Sequence, residues 1–307
     1  MENKLKHFVI ITPCYNESQV ILTFLEQLAN MLSNNSTQQF TIVVVDDGSV
    51  DDTCQLLKDF NLDYDNIALK VISLKFNMGH QLAIKQGLMY AQEIKADGYI
   101  VMDSDGEDDP KAILKLIESE TPITFVTRGK RKESLKFKIG YYFYKILFKM
   151  ISGNKINFGN YSMIKINVLN SLVEQNFIHY SAFLSKMKYN KKYICFDRNK
   201  RIDGKSKMNS NSLVIHGLKS IIEYSEEILF FFMKLLIAVF LLMSIYEGYV
   251  FYDKFISHKA ISGWTSTITL SFIIIMLVIA TIIILGLLLI SQKERFKKMD
   301  KYFCEVK

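Results

Sequence analysis

Four short apolar runs, Phe8 to Ile11, Phe40 to Val45, Leu69 to Leu74 and Tyr99 to Met102, have strand length, and each stops at a polar turn. Helical patterns follow them. After the first turn Val20, Ile21, Phe24, Leu25, Leu28 and Leu32 recur at helical spacing, with Asn16 or Ser18 placed to cap them. Further helices are predicted from about Asp51 to Phe60, from Gln81 to Ile94 and from near Lys111, where Asp108 and Asp109 would favour the positive helix end. Strand, turn and helix in repeated alternation predict an α/β, mainly parallel, Rossmann-like sheet with right-handed crossovers. One more short strand, Ile123 to Val126, precedes Arg128, Lys130, Arg131 and Lys132. From about 135 to 151, Leu135, Ile139, Tyr142, Phe143, Ile146, Leu147 and Met150 share one helical face among lysines. The pattern alone fits a helix lying in a membrane interface or one packed on the sheet with a solvated basic face, and the apolar runs farther along favour an interfacial helix.

Towards the end of the chain the pattern loses its polar half. No charged residue occurs from Ile268 to Ser291, and a second run, about Met233 to Tyr252, carries only Lys234 and Glu247. Both are long enough to cross a bilayer, which predicts a transmembrane helical hairpin at 233–291, with spans at about 233–252 and 268–291. A cytoplasmic domain (1–207) and a juxtamembrane amphipathic segment (208–232) come before it, and a basic cytoplasmic tail (292–307) after it. Lysine and arginine crowd both flanks of the hairpin, whereas the loop between its helices holds only Lys254 and Lys259. The positive-inside rule therefore places both termini in the cytoplasm, and enrichment in lysine, asparagine and isoleucine, which fits an AT-rich bacterial genome, makes the expected location multi-pass in a bacterial inner membrane.

The net charge of +7 among 307 residues is concentrated near the spans, so an anionic leaflet explains it, and no nucleic-acid motif is present. Cys14, Cys54, Cys195 and Cys304 show no paired spacing, which argues against a disulfide framework or a zinc site.

The fourth apolar run delivers Asp103, Asp105, Glu107, Asp108 and Asp109 in quick succession and then Pro110. Carboxylates this dense repel one another unless a cation sits among them, and their hard oxygens suit Mg²⁺ or Mn²⁺ already holding a nucleotide's phosphates. In an extended backbone Asp103 and Asp105 face the same side. No Gly-x-Gly-x-x-Gly or Walker loop occurs, which disfavours a dinucleotide dehydrogenase or a P-loop kinase.

Thr12-Pro13-x-Tyr15-Asn16-Glu17, Val45-Asp46-Asp47-Gly48-Ser49-x-Asp51, Asn77-x-Gly79-His80-Gln81-x-Ala83 and Met102-Asp103-x-Asp105 resemble, in order and spacing, the signatures of family 2 glycosyltransferases with the GT-A fold. The resemblance implies that Pro13, Tyr15, Glu17, Asp46, Asp47, Gly79 and Asp103 bind the donor nucleotide, and that Asp103 and Asp105, with Glu107 beside them, place a metal on its diphosphate. Arg201-x-Asp203-Gly204-Lys205-Ser206-Lys207 and Gly263-Trp264-x-Ser266 resemble elements of the polyprenyl-phosphate branch, which includes dolichol-phosphate mannose synthases. That branch's Asp-x-Gly-Asp-Phe-Arg-Leu stands here as Asn157-Phe158-Gly159-Asn160-Tyr161-Ser162-Met163, without either acid or the arginine.

The resemblance implies inverting transfer of a sugar from a UDP- or GDP-sugar to a polyprenyl phosphate. Asp103, Asp105, Arg128 and Arg131 form the candidate catalytic set, and Arg128, Arg131, Arg201, Lys205 and Lys207 are candidates for the acceptor phosphate or the membrane. An anionic acceptor needs no general base, in keeping with the lost acids. Two rivals are a transferase that elongates a lipid-linked saccharide and a catalytically silent membrane subunit of an assembly complex; self-association stays open.

Overall fold

The computed structural model describes residues 5–128, 158–197, 199–202, 210–258, 263–295 and 300–307. The amphipathic helix expected at 135–151 lies outside the described residues, as do Arg131, Asn157, Lys205 and Lys207. Two compact units are formed: a sheet with its helices and the final tail, and a pair of long helices.

The sheet has eight strands: β1 (Lys6–Cys14), β2 (Gln38–Asp46), β3 (Ile67–Leu74), β4 (Gly98–Val101), β5 (Ile123–Arg128), β6 (Phe158–Ile164), β7 (Lys191–Phe196) and β8 (Phe303–Glu305). Their order is β7-β5-β6-β4-β1-β2-β3-β8. β3, β2, β1 and β4 are parallel, as the alternation of elements requires, whereas β6 runs antiparallel between β4 and β5. Phe8 to Ile11, Ile42 to Val45 and Tyr99 to Met102 are completely buried, as strands covered on both faces must be.

The sheet's helices are α1 (Ile21–Ser33), α2 (Thr53–Asp59), α3 (His80–Ala91), α4 (Ala112–Ile117), α5 (Ile166–Val173), α6 (Tyr180–Lys186) and α7 (Ser210–Ile222). On α1, Ile21, Phe24, Leu25, Leu28, Ala29 and Leu32 form one buried stripe at helical spacing. Neither Asn16 nor Ser18 caps this helix. Its N-cap is Val20, without a side-chain cap, and the first amides donate to the Glu17 carbonyl. Asn16 instead takes a left-handed backbone (φ +52) and accepts from the Val50 amide at 2.9 Å, stapling the loop after β1 to the loop after β2.

The chain returns to this sheet at its far end. Antiparallel to β3, β8 pairs Phe303 with Leu74, Cys304 with Ser73 and Glu305 with Ile72, so part of the tail expected only to be basic is an edge strand.

In the second unit, α8 (Ser225–Phe255) and α9 (Trp264–Arg295) are apolar, with mean hydropathies of 2.7 and 3.3 in their most apolar windows. At about 1.5 Å per residue each exceeds the roughly 30 Å of a bilayer core, so both are long enough to cross one. They extend beyond the expected spans, and residues 225–232 join the first long helix instead of a separate amphipathic segment. Phe240 stacks on Phe272 (5.9 Å between centroids), and Thr269 donates to Glu247, which gives that acid an intrahairpin partner.

Candidate active site

The carboxyl ends of β1, β2, β3 and β4 meet along one edge, where a parallel sheet opens between diverging loops. Cys14 of β1 faces Asp46 of β2, and Asp46 faces Ser73 of β3, so the strands end together. Asp46 and Asp47 are buried and engaged by protein donors. Asp46 accepts from the Ser49 amide at 3.1 Å and the Ser73 hydroxyl at 2.9 Å. Asp47 accepts from the Met78 and Gly79 amides at 2.8 and 2.9 Å and so fixes the loop that enters α3. Burial raises the Asp47 carboxyl above its ordinary range; these amides and His80 oppose that rise. Pro13 is buried, its carbonyl accepting from Ser104 at 2.8 Å, while Tyr15 is 38% exposed at the rim. Glu17 provides, through its carbonyl, the start of α1.

Beyond β4 the acidic loop turns through Gly106, and the Asp105 carboxylate accepts from the Glu107 amide at 2.9 Å. Asp108 also serves its own loop. It is buried, and its carboxylate accepts from the Asp103 amide at 3.1 Å, closing the loop on itself. Asp109 accepts from the Lys111 amide just ahead of α4, close to the role expected for it.

Two basic side chains face this loop. Arg201 spans it, with Nη2 at 2.7 Å from Asp105 and Nε at 2.6 Å from Glu107, and His80 Nε2 stands 3.2 Å from Asp103. Burial, and then the charge of Asp103, pushes the Asp105 carboxyl up despite the guanidinium. Packing around the His80 ring disfavours its charged form, yet Asp103, Asp47 and Asp105 outweigh this and raise its pKa. The His80 shift reflects the negative charge around it, whereas the Asp105 shift is first of all an effect of burial. Among the described residues no three of His, Cys, Asp or Glu form a ready metal cage. Asp103 and Asp105 nevertheless fit Mg²⁺ or Mn²⁺, being hard, partly exposed oxygens on one loop at a site that favours added positive charge.

Asn160 is the residue that motif reading left without a place. β6 pairs Ser162 with Val101, and Asn160 lies two positions from that pair, towards the carboxyl end of β4. Its amide nitrogen lies 2.9 Å from His80 Nε2, and the buried Gln81 reaches Asn160 Oδ1 at 3.5 Å. Ser162, where the branch has arginine, is buried against the Tyr180 hydroxyl at 3.0 Å. Arg128 ends β5 opposite Phe196 of β7; the structure describes its backbone only.

This edge of acids and turn glycines, on a mainly parallel sheet, is matched by the sequence profile of glycosyl transferase family 2 over residues 9–175, more than half of the chain. The chain belongs to glycosyl transferase family 2. It is 27% identical over 292 residues to the uncharacterized glycosyltransferase YkcC of Bacillus subtilis, covering 90% of this chain and 87% of that one. It is also 28% identical over 135 residues to the undecaprenyl-phosphate 4-deoxy-4-formamido-L-arabinose transferase of Yersinia enterocolitica, covering 43% of this chain and 40% of that one. Among solved structures, mannosyl-3-phosphoglycerate synthase from Rubrobacter xylanophilus superposes with a TM-score of 0.53 at 13% identity, over 72% of this chain and 73% of that one. The fold of this family 2 glycosyltransferase is therefore GT-A, and the chain is a transferase.

Proposed function

We propose that this glycosyltransferase moves one sugar, with inversion, from a UDP- or GDP-sugar to a polyprenyl phosphate at the cytoplasmic face of a bacterial inner membrane. The observation that carries the reading is the acidic loop after β4, where Asp103 and Asp105 lie partly exposed beside His80 and Arg201 at the open edge of the sheet. A relative of this chain acts, by its name, on undecaprenyl phosphate. Two apolar helices long enough to span a bilayer suit a lipid-borne acceptor. The tail after α9 pairs with the sheet that precedes α8, which supports an even number of crossings and both termini on one side.

In this reading Asp103 and Asp105 hold Mg²⁺ or Mn²⁺, which would neutralise charge on the departing nucleotide diphosphate. Tyr15 offers a partly exposed ring at the nucleotide rim, and Asp47 holds the loop of Asn77 to Gly79 in place. Arg201 brings a forked donor to the same loop, suited to a phosphate once the carboxylates have another cation. Asn160, an amide at the position of an acid, supplies no base, and a phosphate acceptor already carries its nucleophilic charge. Arg128, Arg131, Lys205 and Lys207 complete the proposed acceptor and membrane contacts.

The test is incubation of the detergent-solubilised protein with UDP- and GDP-sugars, Mn²⁺ or Mg²⁺ and undecaprenyl phosphate, following nucleotide diphosphate release. Release that needs the lipid phosphate, stops with chelator and is lost in Asp105→Asn is the expected result. Release only with a lipid-linked saccharide, or none with any donor, would overturn the reading.

A further inference from the structure

The residues after the second apolar helix reach beyond the sheet edge to the loop that leads into α3. Past the last pair of β8, the Lys75 amide donates to the Tyr302 carbonyl at 3.1 Å. The Tyr302 amide donates to Gln86 Oε1 at 3.0 Å, and Gln86 Nε2 donates to the Asp300 carbonyl at 3.0 Å. Gln86 is completely buried on α3, so a side-chain amide with no access to water spends both its ends on the main chain of the tail. The Tyr302 ring meets Phe76 edge-on, with centroids 5.9 Å apart. One tail residue thus grips both flanks of the segment 75–80, the exit of β3 and the body of α3.

That segment carries the Met78 and Gly79 amides that bind Asp47, and His80, which faces Asp103. We propose that Tyr302 is a positioning residue for the donor side of the site, its backbone and ring holding the loop of residues 76–80 in its binding geometry before substrate arrives. The role of that loop in donor binding rests on the function proposed above; the hold of the tail on it does not. Order imposed by the tail need not be supplied by the binding energy of the nucleotide sugar.

Three variants of the full-length, detergent-solubilised protein test this. Tyr302→Ala removes the ring from Phe76, Tyr302→Phe keeps it, and Glu305→Ala removes contacts with Lys70 and Tyr90 at the other end of the strand. Amide hydrogen exchange of peptides covering residues 75–82 is read beside the donor KM and kcat. Tyr302→Ala is expected to speed exchange in that segment by about tenfold and to raise donor KM by a similar factor with little change in kcat. Tyr302→Phe and Glu305→Ala should match the parent on both readouts. Unchanged exchange in Tyr302→Ala, or equal loosening in Glu305→Ala, would overturn the proposal by reducing the tail to general stabilisation. A parent protein that transfers no sugar would refute the proposed function and leave the exchange comparison to decide this one.

Discussion

Gly48 is the point where the carboxyl edge of the sheet has least tolerance. It adopts φ +66°, and a Cβ there would stand 2.7 Å from the Phe76 carbonyl carbon and 2.8 Å from the Asn77 nitrogen. Gly48→Ala therefore carries two costs. A side chain in the left-handed region loses about 1–2 kcal/mol, and overpacking against neighbouring atoms costs about 1–3 kcal/mol more. The opposing atoms are main chain, and the next two amides along, those of Met78 and Gly79, are bound to Asp47, so the loop is not free to step aside cheaply. The sum, about 2–5 kcal/mol, lowers the melting temperature of a unit this size by on the order of 10 °C. Fluorescence-monitored unfolding of the solubilised protein, with and without UDP or GDP, measures this directly. If the loop yields instead, the melting temperature survives, but the bonds to Asp47 break and nucleotide affinity falls. An alanine variant that melts within about 1 °C of the parent and binds nucleotide equally well would refute this reasoning.

Two other predictions concern sites remote from the acidic loop. Burial on α3, with Nζ donating to the Gln175 carbonyl and the Asn176 side chain, lowers the Lys85 pKa to about 8. Above that value and below the ordinary lysine range the unfolded chain holds a proton that the fold lacks, so this residue's contribution to stability rises with pH. From about pH 8 to about pH 10, the parent should gain about 2 kcal/mol on Lys85→Met in chemical unfolding, and a gap independent of pH would contradict the assignment. Thr269→Val removes the bond to Glu247 between the long helices and should cost about 0.6 kcal/mol of hairpin stability, read as a small drop in the detergent concentration that denatures the pair. No drop would mean that the acid finds another partner in the bilayer or micelle.

The parallel half of the sheet was legible because each strand there is a buried apolar run and each crossover helix follows at once in the chain. Turn chemistry was legible to the same depth: Asp46, Asp47, Gly79, Asp103 and Asp105 all lie at the carboxyl edge where their pattern put them. What escaped depended on pairing across long separations. Asn160 meets His80 only because β6 inserts antiparallel beside β4, and nothing in the local pattern of either segment fixes that register. Asp108 offered a cap by its position, but burial beside its own loop gave it a closer donor, the Asp103 amide. Asn16 likewise exchanged a helix cap for a link to Val50 that exists only once two loops are adjacent. Charge alone described the tail, and its pairing with β3 left no periodic trace in three residues.

The late arrival of β8 sets an order of events during synthesis. Cys304 joins Ser73 across 231 positions, and both apolar helices must be made before it does so. At about 5–20 residues per second the outer edge of β3 waits for tens of seconds with its backbone groups unpaired, a template for other nascent chains. Ribosomes closely spaced on one message would present several such edges at once, so delayed completion of the two long helices would be felt first as aggregation and only afterwards as lost activity. A supply of chaperone matched to the rate of translation, more than any change in the acidic loop, should govern how much of this enzyme a cell can accumulate.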